Sequence, residues 1–201
     1  DFYTWPLSID NNSYQKVINC NINVINRNLE SINKKEYDSN SLVLEHVKRS
    51  SELVTLIVNT ILKIVNDNNI DVNDVIISSE GLSFASNGDA TLNLAAYKQC
   101  LLNKLYENGF TNIKTYSPIT IKSIAGCSKK GSQSKTSMID AINNITNINI
   151  HNFLYTIVNN SENLKKKTAF ISTVDDLVDS FWCLKTTIIK ENLDDLICIL
   201  Q

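Results

Sequence analysis

The sequence predicts a single α/β domain with a mixed central sheet and helices on both faces. Three observations predict it. Short apolar, strand-like runs alternate with longer stretches whose apolar residues recur at helical spacing. The chain has 201 residues, enough to bury a core within one domain. At 43% hydrophobic and 20% charged, its composition is that of an ordinary globular protein.

Taken in order, residues 2–9, which open on Phe2-Tyr3-Thr4-Trp5, are a strand candidate. Residues 17–25 are a second, alternating over Asn21-Ile22-Asn23-Val24-Ile25. Polar residues 26–40 connect to a long helix over about 41–69. There Val43, Val47, Val54, Ile57, Val58, Ile61, Ile64 and Val65 share a face, and Asp67-Asn68-Asn69 ends the pattern. Asp74-Val75-Ile76-Ile77-Ser78-Ser79-Glu80 has the apolar run of a buried strand with a carboxylate at its C-terminal end. A second helix over 89–108 takes Asp89 as N-cap, Leu92, Leu94, Leu101, Leu102 and Leu105 as apolar positions, and Gly109 as its stop. Residues 112–116 form a strand and Ser117-Pro118 a turn. Residues 118–125 form a short helix, 126–135 a Gly/Ser/Lys loop, and 136–145 further helix. Residues 146–170 carry mixed patterns and the Lys165-Lys166-Lys167 run, and the last clear helix spans about 174–190.

Several function classes are excluded for lack of material. The five cysteines are scattered and odd in number and form no CxxC pair, so a disulfide framework or zinc site is not expected and a reducing cytoplasm is. Two histidines leave almost nothing for a His-rich metal site or a His-based triad. No apolar run reaches the length of a membrane span, and the opening residues do not read as a signal peptide. With a net charge of −2, nucleic-acid contact would need a local basic patch rather than a global field. The abundance of Asn, Ile and Lys, whose codons are AT-rich, points to an AT-rich genome such as that of a phage or a low-GC bacterium.

Three features carry candidate chemistry. Glu80 ends an apolar strand, where ligands bind in open α/β folds; a solvated strand end leading into Gly81 is the plain alternative. In Val174-Asp175-Asp176-Leu177-Val178-Asp179-Ser180-Phe181-Trp182, Asp176 and Asp179 share one face of a helix that packs into the core through Leu177, Val178, Phe181 and Trp182. Two like charges on a packed helix repel, and a divalent cation would offset that cost. An acid-rich first turn is the alternative, preferred for Asp175. Third, residues 108–139 contain Lys114, Lys122, Lys129, Lys130 and Lys135. Within them the loop from Gly126 to Lys135 offers backbone N–H groups, hydroxyls and ammonium groups, the donors that hold phosphates without reading sequence. Its spacing is not that of a triphosphate-binding loop, and a solvated surface loop is the alternative.

In their order these features resemble RuvC-type Holliday junction resolvases of the RNase H-like superfamily. Residues 77–94 are similar to the family's strand that ends in a catalytic Glu and leads into a helix, with the aromatic–Ala pair Phe84-Ala85, Asn87, Asp89 and Leu92-x-Leu94 in register. Tyr116-Ser117-Pro118-Ile119-Thr120-Ile121-Lys122, followed by Gly126, is similar to the family's Y-x-P-x-x-[IV]-K stretch. Asp176-Leu177-Val178-Asp179-Ser180 is similar to its closing D-x-x-D-[AS] motif. The likeness covers about residues 42–142 and 174–187. It implies an RNase H-like fold and a homodimer that cuts branched DNA at four-way junctions. It also implies two Mg²⁺ ions, with Mn²⁺ able to substitute. Glu80, Asp176 and Asp179 would then be catalytic metal-binding carboxylates. Lys122 and Lys135, with Lys129 and Lys130 as rivals, would face the scissile phosphate, and Phe84 would face the junction.

One departure is plain. The family's first acid lies on an initial strand reading I-D-x-[GS]. Here Ser8-Ile9-Asp10-Asn11-Asn12-Ser13 fits loosely, with Asp10 as the acid; the other placement puts that strand upstream of residue 1. The competing functions are a related nuclease acting on flaps or other branched DNA, and a catalytically inactive DNA- or protein-binding scaffold.

Overall fold

The computed structural model describes residues 2–4, 22–24, 32–82, 88–127, 135–152, 154–155, 168–193 and 195–196; for 2–4, 22–24, 88–91, 135–136 and 168–175 it describes the backbone alone. Helix dominates, and each long helix can be derived from its caps and its apolar stripe. Asp38 opens helix α1 (Ser39–Asp67) by accepting the N–H groups of Asn40 and Ser41, both at 2.9 Å. Helix α2 spans Gly88–Glu107. Helix α3 (Pro118–Ile124) starts on Ser117, whose Oγ accepts from the N–H of Thr120 at 3.2 Å, with proline in the first turn. Helix α4 is Lys135–Asp140, continued by a 3₁₀ turn at Ala141–Asn144, and helix α5 is Thr168–Lys190.

Four of these helices stop in the same way. A residue with left-handed backbone follows the last turn: Asn69 (φ 53°) after α1, Gly109 (φ 91°) after α2, Gly126 (φ 75°) after α3 and Asn192 (φ 54°) after α5. The next N–H then reaches five residues back to a helix carbonyl: Ile70 to Val65, Phe110 to Leu105, Cys127 to Lys122 and Leu193 to Ile188. Gly and Asn tolerate that conformation, so they set the helix ends.

Strands form two pairs. Strand β1 (Phe2–Thr4) lies parallel to β2 (Ile22–Val24), with Phe2 opposite Ile22. Strand β3 (Ile77–Glu80) pairs with β4 (Ile113–Tyr116). Ile77 N–H donates to Asn112 O at 3.0 Å and Gly81 N–H to Tyr116 O at 2.6 Å. Both strands advance together, so this pair is also parallel, with α2 in its crossover.

The chain groups into two compact units. One comprises Glu30–Ile77 and Leu82–Thr115, and its core is Val54, Val58, Val65, Leu105 and Phe110. In this unit the apolar residues Val43 and Val47 of α1 and Leu92 and Leu94 of α2, expected on packed faces, are exposed. The other unit comprises Asp1–Leu29, Ser78–Gly81 and Tyr116–Gln201. Its core is larger and gathers Ile121, Met138, Ile142, Leu154, Val178, Phe181 and Trp182. Among the described residues no helix is long and apolar enough to cross a membrane.

Candidate functional site

Within the second of these units, β3 and α5 carry the acids singled out from the sequence. At the end of β3, Ser78 and Ser79 are half-buried and Glu80 is exposed. On α5, Asp176, Asp179, Ser180 and Cys183 recur at i, i+3, i+4 and i+7, so they form one stripe along the helix. Away from the stripe, Leu177, Val178, Phe181 and Trp182 are buried. Trp182 Nε1 donates to Met138 O at 3.1 Å, and its ring meets that of Phe181 edge-on at 5.3 Å. This packing fixes the rotation of α5 about its own axis, and with it the direction of the acidic stripe.

The stripe and the strand end line one cleft of about 280 Å³. Ser78, Ser79 and Glu80 come from β3, and Asp176, Asp179, Ser180 and Cys183 from α5. Cys183 Sγ lies 3.8 Å from Ser78 Oγ and donates to it, tying helix to strand at the cleft wall. The Ser180 hydroxyl donates to Leu177 O at 2.8 Å, which commits its proton to the helix and leaves its oxygen as an acceptor.

The start of α5 corrects one expectation. The helix begins at Thr168 rather than near 174, so Asp175 lies well beyond its first turn. A first-turn role for Asp175 is therefore ruled out, and the helix dipole, whose effect falls off within that turn, does not offset the repulsion between Asp176 and Asp179.

The donor chemistry of the cleft, carboxylates and hydroxyls, suits a hard divalent cation. Among the described residues, however, no three His, Cys, Asp or Glu side chains come together closely enough to hold a metal ion. Magnesium commonly binds through one or two carboxylates plus water and substrate phosphate, without a closed protein cage. An open acidic cleft is compatible with that mode.

The expected basic residues are distributed differently. Lys122 sits half-buried on α3, which packs against α5, but is not among the residues lining the cleft. Lys135 begins α4 and is described by its backbone alone. Asp10, Phe84, Lys129, Lys130 and the Lys165–Lys167 run lie outside the described residues. Cys127 is buried, and burial pushes its thiol up from the ordinary value, which argues against a nucleophile there.

Sequence reasoning missed Ser78, Ser79 and Cys183 as cleft residues. Helical spacing carried a signal for Cys183, seven residues after Asp176. It also missed Tyr116, whose phenol donates to Glu191 Oε1 at 2.8 Å. Burial, and then the neighbouring Glu191 carboxylate, push that phenol up to about 12. Comparison with protein-family models, with curated proteins and with solved structures finds no match for the chain.

Proposed function

We propose that the chain is a nuclease domain of the RNase H-like class that hydrolyses phosphodiesters in branched DNA, with four-way junctions as its substrate. The observation that carries this reading is that Glu80 and the pair Asp176 and Asp179, remote in sequence, line one cleft. The resemblance to RuvC-type resolvases, and with it the homodimer and a cytoplasmic setting, belong to the same proposal. Mg²⁺, with Mn²⁺ as substitute, would be held through the carboxylates of Glu80, Asp176 and Asp179, one or two of them to an ion with water and substrate phosphate completing its shell, and would supply charge neutralisation and water activation at the phosphate.

The chain's own residues would contribute position and charge. Glu80, Asp176 and Asp179 would bring carboxylate groups to the cleft, and a cation there would favour the approach of a phosphate. The Ser180 oxygen, with its proton given to Leu177 O, can accept from a water in the cleft. Lys122, Lys129, Lys130 and Lys135 would hold the DNA backbone through its phosphates, and Phe84 would face the junction.

The test is nicking of a four-way junction. Glu80→Gln or Asp176→Asn should abolish cleavage in Mg²⁺ while junction binding survives; full activity in both would refute the site. Replacing Lys129 and Lys130 together by Ala should weaken binding and lower the slope of log affinity against log salt by about two. An unchanged slope would mark the loop as merely solvated.

The second reading, an inactive nucleic-acid- or protein-binding scaffold, is favoured by the lack of a ready-made ligand trio among the described residues. It predicts junction binding without Mg²⁺-dependent or Mn²⁺-dependent cleavage.

A further inference from the structure

Tyr116, the last residue of β4, touches both elements that carry the candidate acids. Its main-chain carbonyl accepts the N–H of Gly81, the residue directly after Glu80, at 2.6 Å. Its phenol donates to Glu191 Oε1 at 2.8 Å. Glu191 directly follows α5, eight residues after Cys183, and its N–H donates to Thr187 O at 2.9 Å, so it continues the helical path. Thr187 lies one turn after Cys183 on the acidic stripe and is itself buried. One residue therefore grips the peptide behind Glu80 with its backbone and the end of the Asp176–Asp179 helix with its side chain. The contact between Cys183 and Ser78 is a second tie between the same two elements.

We propose that Tyr116 is a positioning residue that sets the spacing between the Glu80 end of β3 and the acidic stripe of α5. The inference rests on the nuclease reading for its consequence in catalysis, but its geometry stands without it. The core around Phe181 and Trp182 anchors α5 along its middle, and the hydrogen bond from Tyr116 to Glu191 adds a directional tie at its C-terminal end, two turns beyond the Trp182–Met138 contact. The phenol is half-buried, so a broken bond would leave the Glu191 carboxylate without this donor in a partly dry setting. Tyr116 would thus act on the acids through β3 and α5 without touching substrate.

The experiment uses the Ser78–Cys183 contact as a ruler in the full chain. Ser78→Cys places a second thiol opposite Cys183, and diamide then takes two hydrogens from the thiol pair as the disulfide forms. Peptide mapping by mass spectrometry follows formation of that link. The link should form readily with Tyr116 intact and several-fold more slowly with Tyr116→Phe added. Glu191→Gln should preserve the rate, because the amide oxygen accepts the same bond, and Glu191→Ala should lower it as Tyr116→Phe does. If Tyr116→Phe fails to fold, Glu191→Ala tests the same bond from its other end. Equal rates in all backgrounds would overturn the proposal, and so would failure of the link to form with Tyr116 present. Nicking assays without Ser78→Cys add the catalytic consequence. Tyr116→Phe should reduce kcat or Mg²⁺ affinity roughly 10–100-fold, the usual effect of losing a group that orients ligands, with KM for the junction unchanged. A wild-type chain that cleaves nothing, yet shows the Tyr116-dependent link, would refute the nuclease reading and leave the positioning role standing.

Discussion

Helices α1 and α5 are the two longest in the molecule, and they treat their charged residues in opposite ways. On α1 only Val54, Val58 and Val65 are buried, and its N-terminal portion presents Val43, Leu44 and Val47 to solvent. Its acid Glu45 meets Arg49 one turn away at 2.6 Å. The guanidinium hydrogen bond holds that carboxyl below its usual range, a half-buried pairing of opposite signs. On α5 burial covers Leu177, Val178, Phe181, Trp182, Cys183, Thr186, Thr187 and Ile188. The acids on its remaining stripe are two of like sign, and they line a cleft with a third. A helix packed on most of its circumference cannot turn these acids away from the cleft. The comparison teaches that Glu45 on α1 meets a partner on its own helix, whereas the direction in which α5 presents Asp176 and Asp179 is set by the core behind it.

The largest way to break this contrast is to remove that core. Trp182→Ala should cost about 3–5 kcal/mol, because it empties a fully buried aromatic site and frees Met138 O. Denaturant unfolding measures it, and a loss under about 1 kcal/mol would mean that α5 is not anchored there.

A smaller effect sharpens the role of the far end of α5. The Tyr116 phenol is raised from 10.0 to about 12 in the folded chain. Below pH 10 folded and unfolded chains both keep the proton, and the contribution to stability is full. As pH rises from 10 to about 12 the unfolded chain ionises first, so stability falls across that window. Tyr116→Phe should remove that alkaline limb, and persistence of the limb in the variant would assign it elsewhere.

The smallest effect belongs to α1. Val47→Ser, at a residue 58% exposed, should change stability by no more than about 0.5 kcal/mol. A large loss in thermal unfolding would show that something covers this face in solution.

Much of the secondary structure was legible because it depends on local chemistry. The repeat of Val54, Val58, Ile61 and Val65 marked α1, observed at Ser39–Asp67 against an expected 41–69. Gly109 marked the end of α2 because its φ of 91° suits glycine, and a side chain there would press within 3.3 Å of Val72 Cγ2. The start of α5 was not legible. Thr168-Ala169-Phe170-Ile171-Ser172-Thr173-Val174 is rich in β-branched and hydroxyl residues of low helix propensity. The outward turn of Leu92 and Leu94 was hidden for a related reason, since periodicity marks a face but not whether a partner covers it.

The site divides along the same line. Sequence alone determined that Glu80 would end a strand and that Asp176 and Asp179 would share a helical face, because both follow from the period of the backbone. Only the tertiary structure decided that this strand end and this face line one cleft, that Ser78 and Cys183 meet at its wall, and that Tyr116 joins β3 to the end of α5. Those contacts join residues up to 105 positions apart. They are set by how the core around Phe181 and Trp182 fills space, a property of the packed chain that no local pattern encodes.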